Sequence, residues 1–165
     1  YRLPRAETFD TWRAQAPPGF DYAVKANRYL TQAKKLRDCA EPVARMMAPV
    51  RHLGPTLGPI LYQLPPNLRI NLPRLEDFLS LLPRDLIHVF EFRERSWYVP
   101  ETLALLERHG ASFCAHDMPG SASERLAVGP SCSAGPNGCR IKSVPAGRCG
   151  PISTTIPKRM PYMMR

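Results

Sequence analysis

The stretch LGPILYQLPPN, residues 57–67, decides the fold of this chain. Its first eight residues form an almost unbroken apolar run, which Pro65 and Pro66 bring to an end. A short apolar run closed by proline predicts a β-strand buried on both faces, as is typical of parallel sheets.

Three further runs have the composition of strands. They are FDYAVKA at 20–26, LIHVFEF at 86–92 and ASFCAH at 111–116, and the first of them alternates and is rich in β formers. Amphipathic patterns predict helices over 7–16 with Thr8 as the cap, 36–53 with Pro42 in the first turn, 72–82 and 100–109.

The predicted order is therefore αβαβαβαβ with short links. Alternation of this kind predicts an α/β fold with a parallel sheet and right-handed crossovers. The chain of 165 residues is too short for a complete eight-unit barrel. We expect part of a TIM-barrel-like domain over residues 1–120.

The character of the sequence changes near Gly120. Residues 121–165 contain six prolines and five glycines, and they hold seven cations against one anion, so that +6 of the net charge of +9 lies there. Pro and Gly at this density prevent helix and strand propagation. We expect residues 121–165 to be an irregular or disordered tail, rich in Pro, Gly and Arg.

Several functional classes are excluded by the sequence. It contains no Walker loop, nucleophile elbow or HExxH motif. No apolar run approaches the roughly 20 residues that span a bilayer, so no membrane partner is predicted. The five cysteines contain no C-x₂-C pair; their odd number and the absence of a signal peptide argue against a disulfide framework and predict a cytoplasmic location.

Polar side chains follow every predicted strand. In parallel βα folds the chemistry collects at the carboxyl ends of the strands, and unpaired polar groups are costly inside an apolar run. The residues at these ends are Lys25, Asn27, Arg28, Gln63, Glu91, Arg93, His116 and Asp117.

Glu91 and Asp117 are the candidate catalytic residues. They lie at neighbouring strand ends, where two carboxylates can act as acid and base or hold a divalent metal. The alternative for Glu91 is a structural ion pair with Arg93, and the alternative for Asp117 is capping of the following loop.

The candidate ligand-binding residues are mostly cations and amides. Such groups recognise phosphate, carboxylate or sugar hydroxyls, although a cationic rim and contacts to a neighbouring strand are the alternatives. Trp97 stacks on a sugar or base ring, or packs under a loop. The set comprises Lys25, Asn27, Arg28, Gln63, Arg93 and Trp97.

Five motifs carry a family resemblance. They are YRLP (1–4), KANRYLT (25–31), GPILYQLPPN (58–67), FEFRERSW (90–97) and HD (116–117). Together they resemble the YecE-like family, the domain of unknown function seventy-two. The resemblance implies a TIM-barrel-like fold and a bacterial cytoplasmic setting, and it supplies no established reaction.

The resemblance also predicts a fragment. Members of the family begin with an additional strand and helix before the YRLP motif, and continue to a Y-F-N-N-D-like strand. Reading residues 148–161 one base out of frame permits a closely similar strand. We therefore expect a frameshift between Met118 and about Pro136, and a polypeptide that is inactive by itself.

These observations predict an enzyme or a binder. Its ligand would be a small phosphorylated, sugar-like or nucleotide molecule bound at the carboxyl ends of the strands. The alternative is a non-catalytic protein that binds nucleic acid or a metabolite. The sequence indicates neither a cofactor nor a metal, nor an oligomeric state.

Overall fold

The structure, a computed structural model, describes residues 3–115 and the backbone of residues 140–141. The helices are α1 (Ala6–Gln15), α2 (Ala40–Val50), α3 (Leu72–Ser80) and α4 (Pro100–Arg108). The strands are β1 (Tyr22–Lys25), β2 (Leu57–Gln63), β3 (His88–Glu91), β4 (Ser112–Ala115) and β5 (Arg140–Ile141). A π-helical turn, Tyr29–Ala33, and two 3₁₀ turns, Arg51–Thr56 and Arg95–Trp97, complete the described elements.

The strands form one sheet in the order β1-β2-β3-β4-β5. The first four are parallel neighbours, joined by the helical segments between them, and β5 is antiparallel to β4. The predicted α/β fold with parallel βα repeats is confirmed. The sequence did not predict β5, which lies in the range expected to be irregular.

The two faces of β2 have different environments. Gly58, Ile60 and Tyr62 are buried, whereas the alternate residues, including Leu61 and Gln63, are only half-buried. The ring of Tyr62 packs edge-on against Phe78 of α3, at 5.5 Å between centroids. The helix-facing side of β2 is thus buried, and the prediction that β2 is buried on both faces is wrong.

The segment before β2 also differs from its prediction. The pattern predicted one helix over 36–53, but α2 begins only at Ala40 and ends at Val50. Lys35, Leu36 and Asp38 have left-handed φ values of 50°, 68° and 46°, which an α-helix cannot accommodate. Pro42 lies in the first turn of α2, as predicted.

The other helices begin and end close to the predicted residues. Thr8 lies inside α1, whose N-cap is Arg5, so the predicted cap is wrong. Asn71 caps α3 by accepting a hydrogen bond from the backbone N–H of Arg74 at 3.0 Å. Gly110, with φ of 67°, ends α4, as the sequence predicts.

The structure also bears on the state of the cysteines and on the length of the helices. Cys39 is a buried free thiol. Within the described residues, no helix is both long and apolar enough to cross a bilayer. His116 and Asp117, and the tail apart from the backbone of β5, lie outside the described residues.

Candidate functional site

Four side chains form a continuous polar chain at the carboxyl ends of β1, β2 and β3. Lys25 Nζ donates to Gln63 Oε1 at 2.8 Å. Gln63 Nε2 lies 2.8 Å from Oε1 and 2.9 Å from Oε2 of Glu91. Arg93 Nε donates to Glu91 Oε1 at 2.9 Å. We call Lys25, Gln63, Glu91 and Arg93 the strand-end cluster.

The register of the sheet assembles this cluster. Gln63 pairs with Glu91 across β2 and β3, so their side chains leave the same face side by side. Lys25 pairs with Leu61, two residues before Gln63, and therefore shares that face. Its long side chain spans the remaining step to the amide.

The cluster has a buried anion and two cations. The side chain of Glu91 is 8% exposed, and that of Arg93 is 35% exposed. Buried carboxylates are costly unless hydrogen bonds and opposite charges compensate them. Gln63 and Arg93 supply both to Glu91, and Lys25 brings the formal charge of the cluster to +1.

The negative charge of Glu91 also acts on Tyr98. Its hydroxyl donates to the backbone carbonyl of Phe92. Burial, and secondly the negative charge of Glu91, raise the pKa of Tyr98 to about 12. The phenol therefore remains protonated throughout the physiological range and is a hydrogen-bond donor rather than a base.

Asn27 and Arg28 are not members of the cluster. Asn27 Oδ1 accepts a hydrogen bond from the backbone N–H of Tyr29 at 2.8 Å and so shapes the turn after β1. Arg28 is exposed. Both line an open groove of about 670 Å³ whose other walls include Leu30, Gln32 and Met46.

Gln32 joins this groove to the cluster. Its Nε2 donates to the backbone carbonyl of Gln63 at 3.3 Å. Gln32 therefore lines the groove and contacts the backbone of one cluster residue. Sequence reasoning missed Gln32, because it lies in the π-helical turn Tyr29–Ala33, which no pattern predicted.

Trp97 lies in the core. The residue is 2% exposed, its ring stacks on Phe92 at 4.9 Å between centroids, and Nε1 donates to the carbonyl of Leu68 at 2.6 Å. Its only polar atom is used, so the packing alternative describes the position of Trp97, and its ligand-binding role stays a prediction.

Asp117, the second candidate catalytic residue, lies outside the described residues. Among the residues that the structure describes, no group of three or more His, Cys, Asp or Glu side chains is placed to hold a metal ion. The described site thus brings together four of the eight predicted site residues.

Comparison with known proteins places this chain in a family. The family described as protein of unknown function DUF72 matches residues 1–148. The chain belongs to the DUF72 family. The match takes in all four described parallel strands and part of the range 121–165.

Two solved DUF72 structures have a similar fold. A DUF72 family protein from Thermotoga maritima is 26% identical with a TM-score of 0.54, and covers 68% of this chain and 45% of its own. One from Enterococcus faecalis is 19% identical with a TM-score of 0.56, and covers 68% of this chain and 46% of its own. The chain therefore spans less than half the length of these relatives. Comparison with curated proteins finds no match.

Proposed function

We propose that this DUF72 protein binds a small anionic ligand at the carboxyl ends of its strands, as an enzyme or as a binder. The ligand is phosphorylated, and a phosphorylated sugar or a nucleotide fits this description. The strand-end cluster is the observation that supports the proposal. Two cations, Lys25 and Arg93, lie at the two ends of one hydrogen-bonded chain that carries a net positive charge.

The positions of these cations suit an oxyanion. Each donates a hydrogen bond to a buried or half-buried partner, and ammonium and guanidinium groups are the usual protein donors to phosphate. Anchored cations lose less side-chain entropy on binding than mobile ones.

The neighbouring groove is the proposed place for the rest of the ligand. It contains apolar surface from Leu30 and Met46 and polar groups from Asn27, Arg28 and Gln32. A sugar or nucleoside offers both kinds of surface. Its phosphate would then lie toward the cluster and its ring toward the groove.

Glu91 has two proposed roles. Its hydrogen bonds to Gln63 and Arg93 support a role in holding Arg93 in place. In the enzyme form of the proposal, Glu91 also serves as acid or base together with Asp117. Because the chain spans less than half of its relatives, any turnover, and closure of the sheet into a barrel, are proposed for the whole protein.

Binding of inorganic sulfate tests the core of the proposal, because sulfate is an oxyanion of constant charge near neutral pH. Isothermal titration of the full chain should show saturable binding. Lys25→Met and Arg93→Met should each weaken it by about tenfold, the loss of one charge-assisted hydrogen bond of roughly 1.4 kcal/mol. Arg84→Met, at an exposed cation before β3, is the matched control and should bind normally. Equal binding by all four proteins would overturn the proposal.

Catalysis is tested separately. Once a phosphorylated substrate has been found by screening, Glu91→Gln should abolish turnover and leave the thermal transition in place. Turnover that persists unchanged in Glu91→Gln would remove Glu91 from the mechanism. The same variant keeps a hydrogen-bonding group of nearly the same size at this buried position.

Nucleic acid is the alternative ligand. The sequence places seven cations in residues 121–165, and clustered cations bind nucleic acid with strong salt dependence. Deletion of residues 121–165 should then remove salt-sensitive retention on DNA. Retention by residues 1–120 alone would assign the binding to the described domain.

A cytoplasmic location is part of the proposal. The family resemblance and the odd number of cysteines support it. Cell fractionation followed by antibody detection of the protein tests this location.

A further inference from the structure

Gln63 occupies the middle of the strand-end cluster. Within residues 3–115, the hydrogen bonds that join Lys25 to the Glu91–Arg93 ion pair pass through its amide. We propose that Gln63 is a positioning residue that fixes the ammonium of Lys25 relative to Arg93, so that the two cations act together on one oxyanion. The second half of this inference rests on the proposed function.

Chemistry permits only one orientation of the amide. Lys25 Nζ can only donate, so it must face the amide oxygen. The carboxylate of Glu91 can only accept, so it must face the amide nitrogen. The reversed amide would place donor against donor and acceptor against acceptor. The two charged neighbours therefore fix the orientation of the Gln63 amide, and the amide in turn fixes the position of the Lys25 ammonium.

The backbone of Gln63 is held as firmly as its side chain. Its carbonyl accepts from Gln32, and the next residue, Leu64, donates its N–H to the carbonyl of Glu91 at 2.9 Å. β2 lies between β1 and β3 in the sheet. Gln63 is therefore an anchored residue between Lys25 on one side and Arg93 on the other.

Two substitutions separate positioning from mere packing. Gln63→Leu removes the link and keeps most of the volume. Gln63→Glu restores the link only when the introduced carboxyl is protonated, since a carboxylic acid, like an amide, both donates to Glu91 and accepts from Lys25. When ionised, it places a second carboxylate against Glu91, which is repulsive.

The binding test uses sulfate between pH 5 and pH 8.5. Gln63→Leu should bind about tenfold more weakly than the unaltered chain, and adding Lys25→Met should cost little more, because the two changes remove one unit. Gln63→Glu should bind weakly at pH 8.5 and recover as the pH falls, whereas the unaltered chain should change less over this range. Full additivity, or no recovery at low pH in a folded protein, would overturn the joint action of the two cations.

A second measurement needs no ligand. Nitrogen-15 NMR selective for lysine ammonium groups should show a slowly exchanging Lys25 signal in the unaltered chain. The signal should persist in Gln15→Leu, a matched change at an exposed glutamine of α1, and disappear in Gln63→Leu. A Lys25 signal that survives in Gln63→Leu would refute the positioning role.

The two measurements distinguish the possible failures. Loss of the Lys25 signal in Gln63→Leu, with no sulfate binding by the unaltered chain, would support the fixing of Lys25 and refute the oxyanion site. If Gln63→Leu does not fold, a failure of folded Gln63→Glu to recover sulfate binding at low pH still overturns the joint action of the two cations.

Discussion

The hydroxyl of Tyr62 lies 3.3 Å from Nδ1 of His88, inside the core between β2 and β3. Nε2 of the same imidazole lies 2.8 Å from the carbonyl oxygen of Pro83. A carbonyl only accepts, so Nε2 carries the proton and Nδ1 accepts from Tyr62. Burial raises the pKa of Tyr62 well above its ordinary value and lowers the pKa of His88. The pair is therefore neutral at physiological pH.

This pair predicts acid sensitivity. The pKa of His88 is depressed in the folded protein, so the unfolded chain binds a proton first as the pH falls below the ordinary value of 6.5. The free energy of unfolding should be constant at higher pH and decrease as the pH falls from 6.5 through the folded pKa. Urea unfolding between pH 5 and pH 8 measures it. His88→Gln removes the titrating group and should flatten the curve; an identical slope in His88→Gln would contradict this account.

Trp97 should contribute strongly to stability. Trp97→Ala removes a fully packed ring and should lower the free energy of unfolding by about 3–5 kcal/mol. Trp97→Phe keeps the stack on Phe92 but leaves the carbonyl of Leu68 without its indole donor, at a cost of about 1–3 kcal/mol. Tyr29→Ala, at an aromatic that is 53% exposed, is the control and should change stability by less than about 0.5 kcal/mol. Equal effects at Trp97 and Tyr29 would contradict the packing found for Trp97.

Tyr98 should report the charge of Glu91. Its pKa, raised to about 12, has burial as its first cause and the charge of Glu91 as its second. Glu91→Gln should therefore lower the pKa of Tyr98 only partly toward 10. Tyrosine-selective carbon-13 NMR up to pH 11 detects the onset of this titration, which should begin at lower pH in Glu91→Gln. A pKa unchanged by Glu91→Gln would mean that the carboxylate is not ionised or not near the phenol.

Ile87 should promote self-association. It immediately precedes β3, lies on the same face as Val89 and Glu91, and is 50% exposed. An exposed apolar side chain beside a strand favours aggregation. Ile87→Lys should slow the growth of light scattering at 37 °C without lowering the thermal midpoint. Leu81→Lys, at an apolar residue 38% exposed after α3, is the control. If Leu81→Lys slows light scattering equally, the exposed sheet face at Ile87 does not drive self-association.

The sequence predicted the elements well where the hydrophobic periodicity and the flanking Pro and Gly residues indicate the same bounds. All four parallel strands lie inside the predicted ranges, and Pro100 and Gly110 bracket α4 closely. The predicted helix over 36–53 is shorter in the structure because backbone with positive φ precedes it. No residue in that stretch signals this conformation, since Lys35, Leu36 and Asp38 are not glycines.

The sequence could predict which residues form the site, but not which of them are in contact. Strand ends identified Lys25, Gln63, Glu91 and Arg93 as polar groups that need partners. Which of them touch depends on the register between strands, and register is set by tertiary packing. Gln32 escaped prediction for the same reason, because only the fold brings it to the carbonyl of Gln63.

The left-handed backbone at Lys35, Leu36 and Asp38 has a consequence for whatever enters the groove. Residues with side chains occupy this region at an energetic cost, and they stay there only when the surroundings hold them. Leu36 is held because its side chain is 3% exposed. The π-helical turn and α2, which both line the groove, are therefore joined by a fixed corner, and a molecule that enters meets preformed walls. Recognition there should require little loop ordering, and affinity would depend on fit rather than on induced rearrangement.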